Sequence, residues 1–360
     1  MPVTSTKHLT AATLADVARL AGISRATASR ALGGYGSVSP SVRTRVADAA
    51  AQLGYRPNVV ARNVRTGKTS TIGVVVADMS NPFFAQTTRG ISDAARRQGY
   101  QVMVVNTDES LEAEELGLEL LLNKRVDGVV VAAASRTDIQ HLVEAQLEGF
   151  PLVLLDRRID DLGCDQVTAD NKLGARDAFA TLIAAGHRRI AFISAADPDS
   201  LDQPDGLSTI TSSGADRIET YLQAMQTLPG RAPAAEYLRL AGFVTGAAYR
   251  VTADLLALPE RPTAIFASDS VIAIEVLWAI RDAGLVVPAD ISFAMGDDVP
   301  WALATNPAIS AVAQPGYELG TRTIEMLLER IADPARPHQH LILPTEFHRR
   351  GSIGEPPPKR

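Results

Sequence analysis

A single cysteine, Cys164, stands in the 360 residues. One thiol cannot close an internal disulfide, so a reducing cytoplasm is the expected setting. No run of 18 or more apolar residues occurs, which excludes a membrane-spanning helix. The opening MPVTSTKHLTAATLADVARL has neither the continuous apolar stretch nor the cleavage-like site of a secretory leader. G-x-G-x-x-G, Walker A, H-E-x-x-H and G-x-S-x-G are all absent, and no metal-ligand spacing is present. The expectation is therefore a protein that is not an enzyme and needs no cofactor and no metal. No leucine-heptad tail follows residue 340, so a coiled-coil tetramer is not expected.

What the chain does have is 46% apolar and 21% charged residues, the make-up of a soluble globular protein long enough for two or three domains. The net charge of −6 is unevenly spread. Residues 1–68 hold ten Lys or Arg against two acids, Asp16 and Asp48, an excess of +8, and the remainder carries −14. A basic head on an acidic body points to a polyanion at one end, with nucleic acid as the leading partner.

That head reads as helices. Thr13 is a good N-cap for LADVARLA, with Leu14, Val17, Ala18 and Ala21 spaced to bury one face. Gly22 suits the left-handed turn that ends this helix, and Ser24 caps the next, RATASRAL. The pair forms a helix-turn-helix in which Arg25, Thr27, Ser29 and Arg30 face outward. Ser39 and Pro40 start a third helix, whose Val42, Val46, Ala49, Ala50 and Leu53 are expected to close the core. In a recognition helix, arginine can bond guanine O6 and N7 in the major groove. Pro57 and Asn58 then introduce a short helical segment, NVVARNV, too short to be stable alone.

TLADVARLAGISRATASRAL, VSPSVRTRVADAAAQLGYRPN and ARNVRTGKTSTIGVVV together resemble the LacI/GalR family of bacterial transcriptional regulators, and the resemblance continues to about residue 353. It implies a head over 1–57, a hinge helix and linker over 58–70, and an effector-binding and dimerisation domain over 71–354. The lobes of that domain are expected at about 71–169 with 302–332, and 170–301 with 333–354. The implied DNA contacts are Thr13, Leu14, Ser24, Arg25, Ala26, Thr27, Ser29 and Arg30 in the head, with Asn58, Ala61, Arg62 and Val64 in the hinge. Val64 matches the position that wedges into the central base step, where the family usually has leucine. The resemblance also implies a homodimer on a pseudo-palindromic double-stranded operator.

From about residue 71, TIGVVVAD, YQVMVVNTD, VDGVVVAAA and FPLVLLDR, then RIAFISAA, AEYLRLAG, TAIFASDS and DISFAMGDD, are β-branched or apolar runs separated by helices. Buried parallel strands have this pattern. Two such sets imply two α/β subdomains with a cleft between them, where ligands bind outside the strand ends; the family resemblance implies that these form a two-lobed, periplasmic-binding-protein-like sensor with two parallel sheets. The family comparison places Phe83, Phe84, Asp156, Arg157, Arg217, Phe243, Asp269 and Asp297 at that cleft, with one phenylalanine, Phe83, expected in the core. Thr211 stands where the purine-responding branch has arginine, and Asp269-Ser270 replaces the usual asparagine-aspartate. A sugar, sugar acid or polyol is the expected effector. His187, in AAGHRRIAF, reads as a helix C-terminal cap rather than a catalytic group. The expected function is a ligand-responsive repressor. The alternative is a sugar-binding protein or enzyme of the same two-lobed fold without DNA regulation.

Overall fold

The computed structural model describes residues 12–55, 68–202, 206–228 and 234–358. Asn58, Ala61, Arg62 and Val64 of the expected hinge lie outside them. The chain divides into two compact units, residues 1–69 and 70–360.

The first unit holds α1 (Leu14–Leu20), α2 (Arg25–Gly33) and α3 (Pro40–Gln52). Thr13 and Asp16 form a reciprocal capping box: the Thr13 hydroxyl accepts from the Asp16 amide at 3.3 Å, and Asp16 accepts from the Thr13 amide at 3.0 Å. Gly22 (φ +66°) makes the turn, and the Ser24 Oγ accepts from the Thr27 amide at 3.1 Å. Val17, Ala18, Ala21, Ala28, Val46, Ala49 and Ala50 form the core. Leu53 does not join it. The chain turns at Gly54 (φ +61°) with the Tyr55 amide donating to the Ala50 carbonyl at 2.8 Å, so Tyr55 packs on the core and Leu53 faces solvent.

The second unit has two six-stranded sheets. The first takes β1 (Thr71–Val76), β2 (Gln101–Asn106), β3 (Gly128–Val131), β4 (Leu152–Leu155) and β5 (Asp165–Ala169), in the order β2-β1-β3-β4-β5, with β11 (His340–Leu343) at its edge. The second takes β6 (Ile190–Ser194), β7 (Leu238–Leu240), β8 (Ala264–Ala267), β9 (Ser292–Met295) and β10 (Ser310–Ala313), in the order β7-β6-β8-β9-β10, with β12 (Glu346–His348) at its edge. Every pairing is parallel except β10 with β12, so the second sheet is mixed rather than wholly parallel. The antiparallel edge follows from the chain crossing back at residues 343–346 and running down β10 in the opposite sense.

The lobe boundaries also differ from expectation. Ser310 and Ala311 pair with Ala294 and Met295 of β9, which puts residues 302–313 in the second lobe. His340–Leu343 pair with Gln166–Ala169, which puts β11 in the first. The lobes are thus joined three times, after β5, after β10 and after β11. A buried ion pair fixes the last return: Arg330 bonds Asp165 at 2.9 Å and the carbonyls of Pro334 and Pro337, while Asp165 also accepts from the Gln339 amide.

His187 is wholly buried. Its ring nitrogens bond Thr263 Oγ1 at 2.8 Å, Ser292 Oγ at 2.9 Å and the Gly354 carbonyl at 3.0 Å, tying the β6, β8 and β9 approaches to the C-terminal segment. Its backbone amide meets the Leu182 carbonyl at the helix end, but the imidazole is a network centre rather than a cap. Burial lowers its pKa despite the Gly354 carbonyl.

In the first lobe α4 (Pro82–Arg97) crosses the long C-terminal helix, Gly316–Ala332, at backbone distance. A Cβ on Gly90 would sit 2.1 Å from the Tyr317 carbonyl oxygen, and one on Gly320 2.1 Å from that of Thr87. Neither neighbour is a flexible side-chain end, so the helices themselves must move apart. Gly320→Ala is expected to cost about 1–3 kcal/mol and to lower the melting temperature of the second unit by roughly 2–10 °C. An unchanged calorimetric midpoint would contradict this close approach.

Candidate functional site

On the head, α2 carries the outward residues. Arg25, Ala26 and Arg30 are exposed, and Thr27 and Ser29 are half-buried. Thr27 spends its amide on the Ser24 cap, and its hydroxyl accepts from Arg30 Nη2 at 3.3 Å. Ser29 shares a hydrogen bond of 2.8 Å with the Tyr35 hydroxyl, which the sequence reading did not single out. The Arg30 stem also lies against Gly36. Arg30 and Ser29 are therefore oriented from within the head, whereas Arg25 projects at the first turn. Thr13 is exposed and committed to its capping box, and Leu14 is half-buried against the core.

The second unit has a cleft between its lobes of about 270 Å³. That is just below the usual range of ligand pockets, roughly 300–1,000 Å³, and suits a compact ligand. Parallel strands put their C-terminal ends along one edge of each sheet, and residues at or after eight of them line the cleft. Asp78 follows β1, Glu109 follows β2 and Asp156-Arg157 follow β4; Phe243, Asp269, Asp297 and Gln314 follow β7, β8, β9 and β10, and Ser194 closes β6. All eight cleft residues singled out from the sequence lie here.

Their roles differ. Phe83 and Phe84 are both buried in the first-lobe core and both line the cleft, their ring centres 5.2 Å apart in an edge-on arrangement. The distinction between core and wall does not separate them, because α4 starts at the cleft rim. Asn81 caps that start by accepting from the Phe83 amide at 2.9 Å. Phe243 is half-exposed at the opposite rim.

Arg157 is clamped. Both guanidinium Nη atoms donate to Glu109 at 2.7 Å, Nη1 also reaches the Ala133 carbonyl at 3.1 Å, and the group lies 5.6 Å from the Phe84 ring centre. Glu109 was missed in the sequence; its place after a strand was the available signal, but its partner lies 48 residues away. Asp269 caps α10 (Ser270–Asp282, counting α5 Leu111–Asn123, α6 Gln140–Leu147, α7 Asn171–Ala184, α8 Ser212–Gln226 and α9 Ala247–Leu256 before it). It accepts from the Val271 and Ile272 amides, each at 2.9 Å, and from Ser268 Oγ at 2.7 Å. Asp297 accepts from the Ser270 amide at 2.8 Å and from Gln314 Nε2 at 2.7 Å. Glu275, also missed, holds the Phe243 loop by accepting from the Gly246 amide at 2.5 Å and the Tyr249 amide at 3.2 Å.

Asp156 is the exception. It is 5% exposed, it sits at φ +64°, and its Oδ1 has no partner among the described residues. Burial raises its pKa, opposed by Arg157 and Arg217. Asp269 is raised by burial and by the neighbouring Asp297, and Asp297 by burial against the pull of Arg217. Arg217 itself donates to Asn171 at 2.7 Å. One guanidinium thus faces three carboxylates, those of Asp156 and Asp297 buried and that of Asp269 half-buried, an arrangement rich in acceptors. No cluster of three or more metal-ligating side chains occurs among the described residues, and no helix of the described residues is long and apolar enough to cross a membrane.

Comparison with known proteins places both units. Residues 13–58 match the model for bacterial regulatory proteins of the lacI family. Residues 69–203 match that for periplasmic binding proteins and the sugar binding domain of the LacI family, and residues 179–353 a periplasmic binding protein-like domain. Catabolite control protein A of Priestia megaterium is 33% identical over 315 residues, 88% of this chain and 91% of that protein. The lac repressor dimer bound to operator and the anti-inducer ONPF aligns with a TM-score of 0.80 at 26% identity, covering 96% of this chain and all of that one. The transcriptional regulator CelR in complex with cellobiose aligns with a TM-score of 0.68 at 28% identity, covering 95% and 99%. The chain belongs to the LacI family of bacterial regulatory proteins.

Proposed function

We propose that this chain is a sequence-specific transcriptional repressor whose operator affinity is set by a small sugar-like effector held between the lobes. The observation that carries the reading is one chain holding both a helix-turn-helix head with an exposed Arg25 and a sensor with eight strand ends on one cleft. The lac repressor relative was crystallised as a dimer on operator DNA and the CelR structure is a complex with cellobiose, which supports the same pair of partners here. An effector can move the DNA-binding equilibrium only by binding two arrangements of the protein unequally. A cleft formed by two lobes joined in three places offers such arrangements.

A homodimer is part of the proposal, because one helix-turn-helix reads only a half-site. Ile274 and Trp278 lie at i and i+4 on α10, are exposed by 36% and 49% and do not line the cleft, an apolar pair of the kind that a second copy covers. The protein acts by binding rather than by chemistry, and it works where the DNA is, in the cytoplasm. Mobility shift of the protein's own upstream DNA, with and without a sugar panel, tests the whole reading. No shift on any upstream fragment would overturn it.

Arg25→Ala is expected to cost about 1–3 kcal/mol on specific DNA and to relax preference at one position of each half-site. Equal loss on specific and random DNA would contradict base reading by Arg25. Arg217→Ala is expected to abolish the effector's influence on operator affinity while changing that affinity by less than about threefold. Loss of DNA binding with the response retained would remove the cleft from the effector's path.

The pH dependence has a definite sign. Asp156, Asp269 and Asp297 bind protons more readily in the fold than at their ordinary value of 3.8. Hydroxyl donors bond an ionised carboxylate more strongly than a carboxylic acid, so binding favours the ionised form, releases protons and weakens on acidification, beginning above the ordinary carboxylate range. Calorimetry between pH 7 and 5, in buffers of different ionisation enthalpy, should detect that release. Tighter binding at pH 5 would reverse the assignment.

A further inference from the structure

We infer that the effector is an uncharged polyhydroxy compound and that the cleft excludes sugars bearing a carboxylate or phosphate. This rests on the reading of the cleft as the effector site and narrows it. Arg157 contributes no net attraction to an anion, because Glu109 takes both Nη groups at 2.7 Å. Among the described residues Arg217 is then the remaining guanidinium of the cleft lining, and it faces Asp156, Asp269 and Asp297. An incoming anion would meet more buried negative charge than positive, with water largely displaced and screening weak.

Hydrogen-bonding capacity points the same way. Asp156 is buried with Oδ1 unpartnered, and the Gln314 Oε1 is likewise buried without a partner among the described residues. Both atoms belong to residues lining the cleft and both accept, while Arg157 Nε, the third buried polar atom of the lining without a partner among the described residues, donates. A hydroxyl group serves both kinds, donating to an orphaned acceptor and accepting from the orphaned Arg157 Nε, whereas a carboxylate or phosphate oxygen can only accept. The orphaned acceptors on opposite lobes, one after β4 and one after β10, call for a ligand that donates at two separated points. A polyol does this without bringing charge.

Asp269 is the residue on which exclusion turns. Its cap bonds run from the Val271 and Ile272 amides to Oδ1, and an asparagine oxygen can accept both, while an asparagine amide can donate to Ser268 Oγ in place of the present bond. Asp269→Asn therefore removes one cleft charge and leaves the helix cap intact. The carboxylate is not required by the cap, so its charge is available to act on the ligand.

The test uses the full-length protein at pH 7.5 and matched probes. Ribose, xylose, glucose, galactose, xylitol and sorbitol are each set beside the corresponding sugar acid and phosphate ester, by thermal shift and then by titration calorimetry. The neutral member of a binding pair is expected to bind at least about tenfold more tightly than its anionic partner, and Asp269→Asn to narrow that ratio about threefold or more. Asp297→Asn serves as a second charge-removing variant should Asp269→Asn lower the unliganded melting point. An acid or ester that binds as tightly as its neutral partner overturns the inference and leaves the effector site standing. So does a ratio that neither variant changes. Silence from every probe, neutral and anionic, in the wild type and both variants, overturns the sugar-like effector itself.

Discussion

Parallel pairing is the constraint from which the rest of the sensor follows. Strands that run the same way must end on the same edge, and every strand pair but one in the two sheets is parallel. The backbone groups at those ends leave the ladder together, so turns there are free to carry polar side chains that the strand interiors could not accommodate. Two such edges set against each other account for a cleft lined by carboxylates, hydroxyls and guanidinium groups between two cores of Val, Ile, Leu and Phe. Burial of the polar groups then follows from position rather than from any special arrangement of single residues, and raised carboxylate pKa values follow from burial.

The cost of this arrangement is visible in the backbone. Asp108, Glu109 and Asp156 all have positive φ (+50°, +64° and +64°), and all three line the cleft. Such conformations are uncommon for residues with a Cβ and persist where surrounding contacts impose them. Glu109 is held by Arg157, and Asp156 by its amide, which donates to the Val167 carbonyl of β5 at 2.8 Å. The first lobe thus presents a rigid face to the cleft. The second lobe is held differently, through Glu275 and the amides of the Phe243 loop and through the Asp269 cap.

Local chemistry was legible in the sequence, and long-range pairing was not. Thr13, Gly22 and Ser24 announced the head because caps and left-handed turns act within four residues. Leu53 was misread because periodicity alone does not show that Gly54 turns the chain and substitutes Tyr55. The strong strands read as strands, but SAVA, HLIL and EFH are short, and their sheet membership depends on partners that no local pattern names. The cleft residues carried over by family resemblance all line the cleft, yet which of them are spent on the protein itself was hidden. Asp269 is a helix cap and Arg157 half of an ion pair. Glu109, Glu275 and Gln314 went unnoticed because their partners lie 48, 29 and 17 residues away.

The three passages of chain between the lobes have a mechanical meaning. Two bodies joined by one flexible strand can tumble, slide and twist about each other. Joined at three points, after Ala169, Ala313 and Leu343, they lose most of those freedoms, because any sliding would have to stretch or shear several short tethers at once. What survives is opening and closing about the line of tethers, the hinge class of domain motion. A ligand that touches both lobes therefore acts on a single coordinate, and the width of the cleft becomes the variable through which occupancy can be reported.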